Sequence, residues 1–377
     1  MTRHSFRNGH IATPGRVLHQ ASIDVVDGRI VAIDDTADQP DAVDLHGGWL
    51  MPGFIDTQVN GGGGVLFNDH PTVEGIAAIG AAHHQYGTTA FLPTLISDTP
   101  DMIARALDVT DAAIAAGVPG VVGAHIEGPV LSVARKGIHD ATRFRTLDDE
   151  MMALLTRPRR GRVMVTLAPE MVPLDRIAAL HAAGVIVSLG HTDADQPTAT
   201  AAFAAGATGV THLYNAMSSL GHRAPGVVGA ALDDQRVWCG VIVDGFHVSD
   251  VALRIAMRAR PLDRFMLVTD AMPCVGAAHK DFVLHGVPIH VEGGRCVGPD
   301  GTLAGSDLDM AGAVRQSVAR LGLSPAQAGA MAATSPAAFL GLSGERGTLS
   351  VGRRADWVRL DATLHAVATT IGGEALA

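Results

Sequence analysis

A chain of 377 residues, with 47% hydrophobic and 18% charged side chains, is long enough for one large α/β domain and a small companion. A formal net charge of −10 without a run of Lys or Arg argues against nucleic acid as a partner. The N-terminal residues lack the apolar core of a signal peptide, and no apolar run reaches the ~18 residues of a membrane span. We therefore expect a cytoplasmic protein that binds neither nucleic acid nor membrane.

Both ends of the chain predict short β-strands. Residues 16–19, 21–26 and 29–33 are short alternating segments, and Asp27-Gly28 between the last two predicts a hairpin turn. The stretch from residue 344 to 377 has a similar pattern, but neither end has enough apolar residues for a core of its own. We therefore expect residues 1–51 and 344–377 to pack together as one small, discontinuous β-sandwich domain.

Residues 52–343 alternate between apolar strands and Ala-rich helices. Eight strands are predicted, at residues 54–59, 88–93, 120–126, 162–167, 185–189, 208–212, 237–243 and 264–269. Helices are predicted at residues 73–86, 102–116, 147–156, 174–183 and 196–205. An α/β fold with a (β/α)8 TIM-like barrel fits this pattern better than an open doubly wound sheet. The GGGG at 61–64 lacks the GxGxxG spacing of a phosphate loop.

Two of the predicted strands are each followed or closed by a histidine. His191 follows the strand at 185–189, and His212 closes the strand at 208–212. Residues just past the strand C-termini of a barrel face one mouth, so the fold brings the two imidazoles side by side. A lone histidine is more often a satisfied, partly buried side chain. Two at equivalent strand ends instead indicate metal ligands.

Two carboxylates follow other strands at the same predicted mouth. Glu127 lies just beyond the apolar run that ends at residue 126, and it completes a His2Glu ligand set that leaves an open position for water. Asp270 ends the strand at 264–269 and is a candidate general acid or base, with a helix N-cap as the alternative role. His139 and His247 lie in loops on the same predicted face.

Eight segments carry a resemblance to a known family. In chain order they are PGFIDTQVNGGGG, HIEGP, KGIHD, SLGHTDAD, THLYNAM, DGFHV, LVTDAM and TLAGS. Together they resemble the N-acetylglucosamine-6-phosphate deacetylases of the amidohydrolase superfamily, over essentially the whole chain. The resemblance implies an enzyme that hydrolyses the acetamide of N-acetyl-D-glucosamine 6-phosphate to D-glucosamine 6-phosphate and acetate.

The resemblance also implies the roles of individual residues. Glu127, His191 and His212 would bind one divalent cation per subunit, usually Zn²⁺. Asp270 would be the catalytic acid/base, and His139 would polarise the acetyl carbonyl. Positions that match substrate contacts are Ile138, His139, Asn215, Ala216, Arg223, His247, Leu303, Ala304 and Gly305. Because the matching arginine in the family crosses to a neighbouring subunit, a homodimer is expected, with Arg223 contributed across the interface.

One departure from the wider superfamily concerns the metal count. Many members carry HxH at the end of the first strand and bind two metals, whereas this chain has Gln58 and Asn60 there. We therefore expect one metal. An N-acetylgalactosamine-6-phosphate deacetylase stays open as an alternative, and so does a non-catalytic barrel homologue. His222, beside Arg223, has no assigned role.

Overall fold

The computed structural model describes residues 1–35 and 39–376. Residues 36–38 and 377, which belong to the predicted sandwich, lie outside the described residues. The strands of the described part are β1 (Thr2–Arg7), β2 (His10–Thr13), β3 (Arg16–Leu18), β4 (Ala21–Val26), β5 (Arg29–Asp34), β6 (Val43–Asp44), β7 (Trp49–Pro52), β8 (Phe54–Val59), β9 (Gly61–Gly62), β10 (Val65–Leu66), β11 (Thr88–Ile96), β12 (Gly123–Glu127), β13 (Arg162–Leu167), β14 (Ile186–Leu189), β15 (Gly209–Val210), β16 (Trp238–Val241), β17 (Phe265–Leu267), β18 (Phe282–Leu284), β19 (Val287–Glu292), β20 (Arg295–Val297), β21 (Leu303–Ser306), β22 (Trp357–Leu360), β23 (Ala366–Ile371) and β24 (Glu374–Ala375).

The α-helices of the same residues alternate with the strands through the middle of the chain. They are α1 (Val73–His84), α2 (Pro100–Ala115), α3 (Asp149–Thr156), α4 (Leu174–Ala182), α5 (Gln196–Ala205), α6 (Gly226–Asp233), α7 (Asp250–Ala259), α8 (Met310–Leu321), α9 (Pro325–Ala332) and α10 (Thr334–Phe339). Many begin at a side-chain cap. At α5, for example, Asp195 accepts a hydrogen bond from the backbone N–H of Thr198 at 2.9 Å. The helix then ends at Gly206, which has a φ of 120°.

Eight parallel strands form the central sheet, in the order β17-β16-β15-β14-β13-β12-β11-β8. All residues of β8 and β11 are buried, as expected for strands covered on both faces. The ends of the sheet approach each other through a single parallel bridge between Val59 and Ala271. The sheet is thus a nearly closed barrel, and the predicted TIM-like fold is confirmed.

Two further sheets contain the ends of the chain. The six-stranded sheet β24-β23-β22-β7-β2-β3 joins both ends, because β22 pairs antiparallel with β7. The four-stranded sheet has the order β5-β4-β1-β6, and its β4–β5 hairpin turns at Asp27-Gly28 as predicted. Side chains of both sheets share one core, including Phe6, Ile23 and Trp357. The limits 1–51, 52–343 and 344–377 stay a prediction, and β7 crosses the first of them.

Several elements were not predicted from the sequence. Strands β18 to β21 form a separate antiparallel sheet after the last barrel strand. Helices α8, α9 and α10 follow it and complete the barrel's outer layer, with α9 and α10 both contacting β8 and β17. The sheet matters for function because its last strand, β21, carries the predicted Leu303–Gly305 segment to the barrel mouth.

No helix in the described part of the chain combines the length and hydrophobicity needed to span a bilayer.

Candidate active site

The predicted site residues stand at the carboxyl ends of the barrel strands. Glu127 is the last residue of β12, while His191, His212 and Asp270 follow β14, β15 and β17 within three residues. The last three have left-handed backbones, with φ of 48°, 34° and 53°. Non-glycine residues adopt this conformation at a cost on the order of 1–3 kcal/mol each, and it recurs at functional sites. Here it turns each side chain out of its strand toward the barrel mouth.

Three ligand-type atoms converge at this mouth. His212 Nε2 lies 3.1 Å from Glu127 Oε1 and 3.2 Å from His191 Nε2. His191 Nε2 lies 3.4 Å from the same Glu127 oxygen. All three side chains are buried. Burial alone would raise the pKa of Glu127, but its hydrogen bonds with His191 and His212 hold that pKa well below its usual value. The site therefore presents an ionised carboxylate beside two imidazoles.

A backbone contact fixes the tautomer of His191. Its Nδ1 lies 2.9 Å from the carbonyl oxygen of Arg135, so Nδ1 carries the proton and donates it to that acceptor. Nε2 of the neutral ring is then left with a lone pair pointing at Glu127 and His212. A histidine held in this way is typical of metal sites, where the outer contact orients the ring.

His139 lies beside this group on the other side of Glu127. Its Nε2 is 3.8 Å from Glu127 Oε2, and its ring centroid is 4.4 Å from that of His191. Glu127, His139 and His191 each offer a ligand atom within 4.8 Å of the others. Burial, followed by the electrostatic effect of the neighbouring His191 imidazole, lowers the pKa of His139 well below its usual value, so its ring is neutral near pH 7.

The Ser97 hydroxyl indicates which nitrogen of His139 carries the proton. Ser97 Oγ lies 2.8 Å from His139 Nδ1 and 3.3 Å from the carbonyl oxygen of Glu127. The hydroxyl has one proton, which it donates to the Glu127 carbonyl oxygen, because that oxygen can only accept. Ser97 Oγ then accepts from His139 Nδ1–H, and the lone pair of the neutral ring is on Nε2, which faces the cavity.

Two amides hold the Asp270 carboxyl. Gln58 Nε2 donates to Asp270 Oδ1 at 3.0 Å, and Asn60 Nδ2 donates to the same oxygen at 2.7 Å. Gln58 Nε2 also donates to Glu127 Oε1 at 3.0 Å. Burial raises the pKa of Asp270 to about 6, and the negative charge of Glu127 adds to the rise. Oδ2, outside both of these bonds, is the oxygen placed to exchange a proton.

These groups line one cavity of about 350 Å³, within the range of small-molecule sites. Most of the predicted site residues lie in its wall, namely Glu127, Ile138, His139, His191, His212, Asn215, Ala216, His247, Asp270, Leu303 and Gly305. Ala304 is buried behind the wall, in β21. Gly305 has a φ of 58°, and a Cβ there would lie 2.7 Å from the carbonyl oxygen of Asp270, so the close approach of β21 requires glycine.

Arg223 is the predicted residue that the fold does not bring to the cavity of its own chain. It is exposed and is not among the lining residues. Within the described part of the chain, the lining contains one guanidinium, that of Arg135, whose Nε already donates to Asp193 at 2.8 Å. His247 lines the wall with its Nδ1 held 2.6 Å from Asp244 Oδ2. The cavity wall formed by one chain therefore has little unpaired positive charge with which to bind an anion.

The donor set fits a divalent cation. Three ligands around a tetrahedral Zn²⁺ lie about 3.3 Å apart, given metal–ligand bonds of about 2.0–2.1 Å. Glu127, His191 and His212 present their atoms at 3.1–3.4 Å from one another. The carboxylate is ionised and the His191 lone pair faces inward, as coordination requires. The Glu/His cluster at this mouth could therefore hold a metal ion.

Most of the chain matches one family model. The model of the "Amidohydrolase family" matches residues 49–374. The chain belongs to the amidohydrolase family. Among curated relatives of this amidohydrolase, an N-acetylgalactosamine-6-phosphate deacetylase of Shewanella sp. (strain ANA-3) is 42% identical over 372 residues, covering 97% of this chain and 94% of the relative. An N-acetylglucosamine-6-phosphate deacetylase of Mus musculus is 39% identical over 349 residues, covering 88% and 84%.

Solved structures agree with the sequence relatives. The crystal structure of N-acetylglucosamine-6-phosphate deacetylase from Pasteurella multocida matches with a TM-score of 0.95 and 33% identity, and it covers 100% of both chains. The resemblance to this group of enzymes, stated from eight sequence segments, is thereby confirmed. The amidohydrolase is an enzyme by family and by site.

Sequence reasoning missed the residues that hold the reacting groups in place. Gln58 and Asn60 were noted only for the imidazoles that they replace, although their amides bind the Asp270 carboxyl. Ser97 and Asp244, which orient His139 and His247, carried no recognised motif. The Asp-Gly-Phe-His segment at 244–247 did hold a signal, because an aspartate three residues before a histidine often caps and orients it.

Proposed function

We propose that this amidohydrolase cleaves the acetamide of N-acetyl-D-glucosamine 6-phosphate, releasing acetate and D-glucosamine 6-phosphate. The observation that carries the proposal is the Asp270 carboxyl, held by two amides beside a Glu/His/His metal-type cluster in one cavity. Amide hydrolysis needs a group that receives a proton from water and returns it to the leaving nitrogen. The Pasteurella multocida structure, which shares the fold over its full length, and the mouse relative, of which 84% is covered, carry names of this activity.

Glu127, His191 and His212 would hold one divalent ion per chain, with Zn²⁺ as the proposed metal because it prefers nitrogen and carboxylate ligands in sets of three. When bound, such an ion supplies Lewis acidity and lowers the pKa of a water molecule toward ~7. His139 is more distant from the convergent atoms, and Ser97 engages its other nitrogen. We therefore assign His139 to the substrate rather than to the ion.

The chain's own residues account for the proton movements. Asp270 Oδ2 takes a proton from the attacking water as the water oxygen bonds to the acetyl carbon. His139, in the form that carries a proton on Nε2, donates a hydrogen bond to the acetyl oxygen as negative charge develops there. Asp270 then delivers the proton to the sugar nitrogen as the C–N bond breaks. A carboxyl pKa near neutrality suits both directions of this transfer.

The sugar phosphate would contact the rest of the cavity wall. We assign Ile138, Asn215, Ala216 and His247 to this role, together with the β21 segment Leu303–Gly305. The phosphate carries charge that Arg135 alone does not balance, since Arg135 is paired with Asp193. An exposed arginine with a planar fork suits phosphate oxygens, and Arg223 is one.

Arg223 would reach the phosphate from the second subunit of a homodimer. Leu220, three residues before Arg223, is 52% exposed, and a later segment exposes Phe246 at 46%, Val251 at 58% and Ile255 at 54%. Val251 and Ile255 are one turn apart on α7 and so share a helix face. Exposed apolar surface of this kind supports a subunit interface. A cytoplasmic location stays a prediction alongside it.

N-acetyl-D-galactosamine 6-phosphate is the second candidate substrate. The Shewanella relative named for that activity is 42% identical over 97% of this chain, and the mouse relative named for the other is 39% identical over 88%. The two sugars differ at one hydroxyl. Acetate release from both phosphates, and from both sugars without phosphate, decides between them. Release from neither phosphate would overturn the proposed function.

Mixing two inactive variants tests the shared site. Asp270→Asn and Arg223→Ala each remove one group, so a mixed dimer has one site with both groups if Arg223 crosses the interface. Activity should return on co-refolding in up to about a quarter of all sites for random pairing in a two-fold dimer. If Arg223 serves its own subunit, every site lacks one group and no activity returns.

A further inference from the structure

The barrel closes at a seam between its first and last strands, directly beneath Asp270. Consecutive neighbours from β8 around to β17 pair as parallel ladders. Between β17 and β8, the described residues show only the single Val59–Ala271 bridge. The backbone N–H groups of Asn60 and Gly61 also reach the Ala271 carbonyl, at 2.9 and 3.0 Å. These few backbone contacts all lie past Asp270, at Ala271.

A buried carboxylate supplies the contact on the other side of Asp270. Asp56, in β8, is 0% exposed. It accepts hydrogen bonds from the Thr269 hydroxyl and from the Thr269 backbone N–H, the latter at 3.3 Å. It also accepts from the backbone N–H of Gln58 at 3.1 Å. Within the described residues no ion pair joins it to a cation, and burial raises its pKa to about 7.

An unpaired buried carboxyl costs folding free energy, so a role beyond packing is needed to explain it. Thr269 immediately precedes Asp270, whose φ is 53°. The Thr269 hydroxyl that binds Asp56 also accepts from the Ala271 N–H at 3.2 Å, on the far side of Asp270. One hydroxyl thus ties both peptide neighbours of Asp270 to the first strand.

Asp56 also binds the backbone of Gln58, the residue whose side-chain amide holds the Asp270 carboxyl. Asp56 binds the backbone of Gln58, and the Gln58 amide donates to Asp270 Oδ1 and Glu127 Oε1, both at 3.0 Å. Hydrogen bonds that start at Asp56 therefore reach both the backbone around Asp270, through Thr269, and the Asp270 side chain, through Gln58. The Gln58 amide then links Asp270 to the proposed metal ligand.

We propose that Asp56 and Thr269 are a positioning pair, which holds the Asp270 carboxyl against the Gln58 and Asn60 amides across the barrel seam. The expected loss of turnover rests on the proposed function. The expected position of the Asp270 carboxyl does not depend on that function. Neither residue lines the cavity, so both act through Asp270 and Gln58.

Thr269→Val and Thr269→Ser test the pair, because valine keeps the shape and removes the hydroxyl while serine keeps the hydroxyl. We expect Thr269→Val to lose about 10-fold or more in kcat, with KM and bound metal nearly unchanged, since displacements near 1 Å cost up to ~10²-fold. Thr269→Ser should return to within about threefold of the parent. Thr110→Val is the matched control. Its hydroxyl, equally buried, donates to Ala106 O at 2.8 Å in α2, far from the cavity.

Crystal structures of the two Thr269 variants provide a readout independent of activity. In Thr269→Val, Asp270 Oδ1 should move away from the Gln58 and Asn60 amides, and in Thr269→Ser it should stay. An unmoved carboxyl with parental kcat in Thr269→Val would overturn the proposal, as would a serine variant as impaired as the valine one. If Thr110→Val lost as much kcat as Thr269→Val, the loss would reflect reduced stability and the proposal would fail.

Asp56→Ala serves if Thr269→Val does not fold, because alanine removes both carboxyl oxygens and with them the contacts to Thr269 and to the Gln58 backbone. It should lower kcat in the same direction, and parental kcat there would equally overturn the proposal. If the parent enzyme releases acetate from neither sugar phosphate, the proposed function fails, and the displacement of Asp270 still tests the positioning pair.

Discussion

Replacing Asp270 with asparagine should separate catalysis from stability. The variant keeps the size of the side chain, and its amide oxygen can still accept from Gln58 and Asn60, whose donors meet Asp270 at 3.0 and 2.7 Å. It loses the oxygen that exchanges a proton. General acid–base catalysis contributes ~10²–10⁴-fold, so kcat should fall by at least ~10²-fold with metal and substrate still bound.

The same change should stabilise the metal-free protein at neutral pH. The pKa of Asp270 rises from 3.8 to about 6 on folding, so between these values the folded state binds the proton more tightly than the unfolded state. Stability from this carboxyl is therefore present below pH 3.8 and is lost as pH rises through about 6. A shift of about two units corresponds to about 3 kcal/mol at pH 7, and to about half of that at pH 5. Asparagine has no charge to bury and avoids this loss.

Urea unfolding of the chelated proteins at pH 5 and pH 7 measures the difference. The figure of about 3 kcal/mol is an upper bound, because the carboxyl opens onto the cavity, where water screens it. Asp309→Asn is the matched control, since burial also raises the pKa of Asp309 and asparagine can still cap α8 at Gly312. It should keep the parental kcat. An Asp270→Asn variant no more stable than the parent at pH 7, or one with normal turnover, would refute the reasoning.

Two further predictions concern the metal. Elemental analysis should give about one divalent ion per chain, because Gln58 and Asn60 occupy the positions of a second site's histidines. Two tightly held ions per chain, both needed for activity, would contradict this prediction. His139→Gln should lower kcat by about 10-fold or more while the ion stays bound, as expected for a lost hydrogen bond to the developing oxyanion. Loss of the ion would instead make His139 a ligand, as its place beside Glu127 and His191 also allows.

The convergence of the main site residues could be predicted because parallel strands place their carboxyl ends on one face. His191, His212, Glu127 and Asp270 each follow an apolar run, and nothing beyond the barrel topology is needed to bring them together. The exact backbone turn could not be predicted. Strand β15 contains only Gly209–Val210, whereas the pattern predicted 208–212, because the chain leaves the sheet early to give His212 its φ of 34°.

The unpredicted elements did carry local signals. Helix α9 begins with a capping box between Ser324 and Gln327 and with Pro325 in its first turn, all visible in the sequence. The β19–β20 hairpin alternates in polarity around Gly293-Gly294, a turn signal. What the sequence could not reveal is the partner of each polar side chain. Gln58 lies 69 residues from Glu127 and 212 from Asp270, and only closure of the barrel joins them.

The Gln58 and Asn60 amides give a physical reason to expect a single metal. Imidazoles at these positions would present lone pairs to a second cation, whereas the amides present N–H groups to the Asp270 carboxyl. A second ion beside Asp270 would have to displace two hydrogen bonds from Oδ1 and would find no imidazole to replace them. The same two bonds occupy Oδ1 and leave Oδ2 to exchange protons. Amides in place of imidazoles therefore turn a possible metal-ligand position into a support for the Asp270 carboxyl, and the proton transfer proposed above depends on that support.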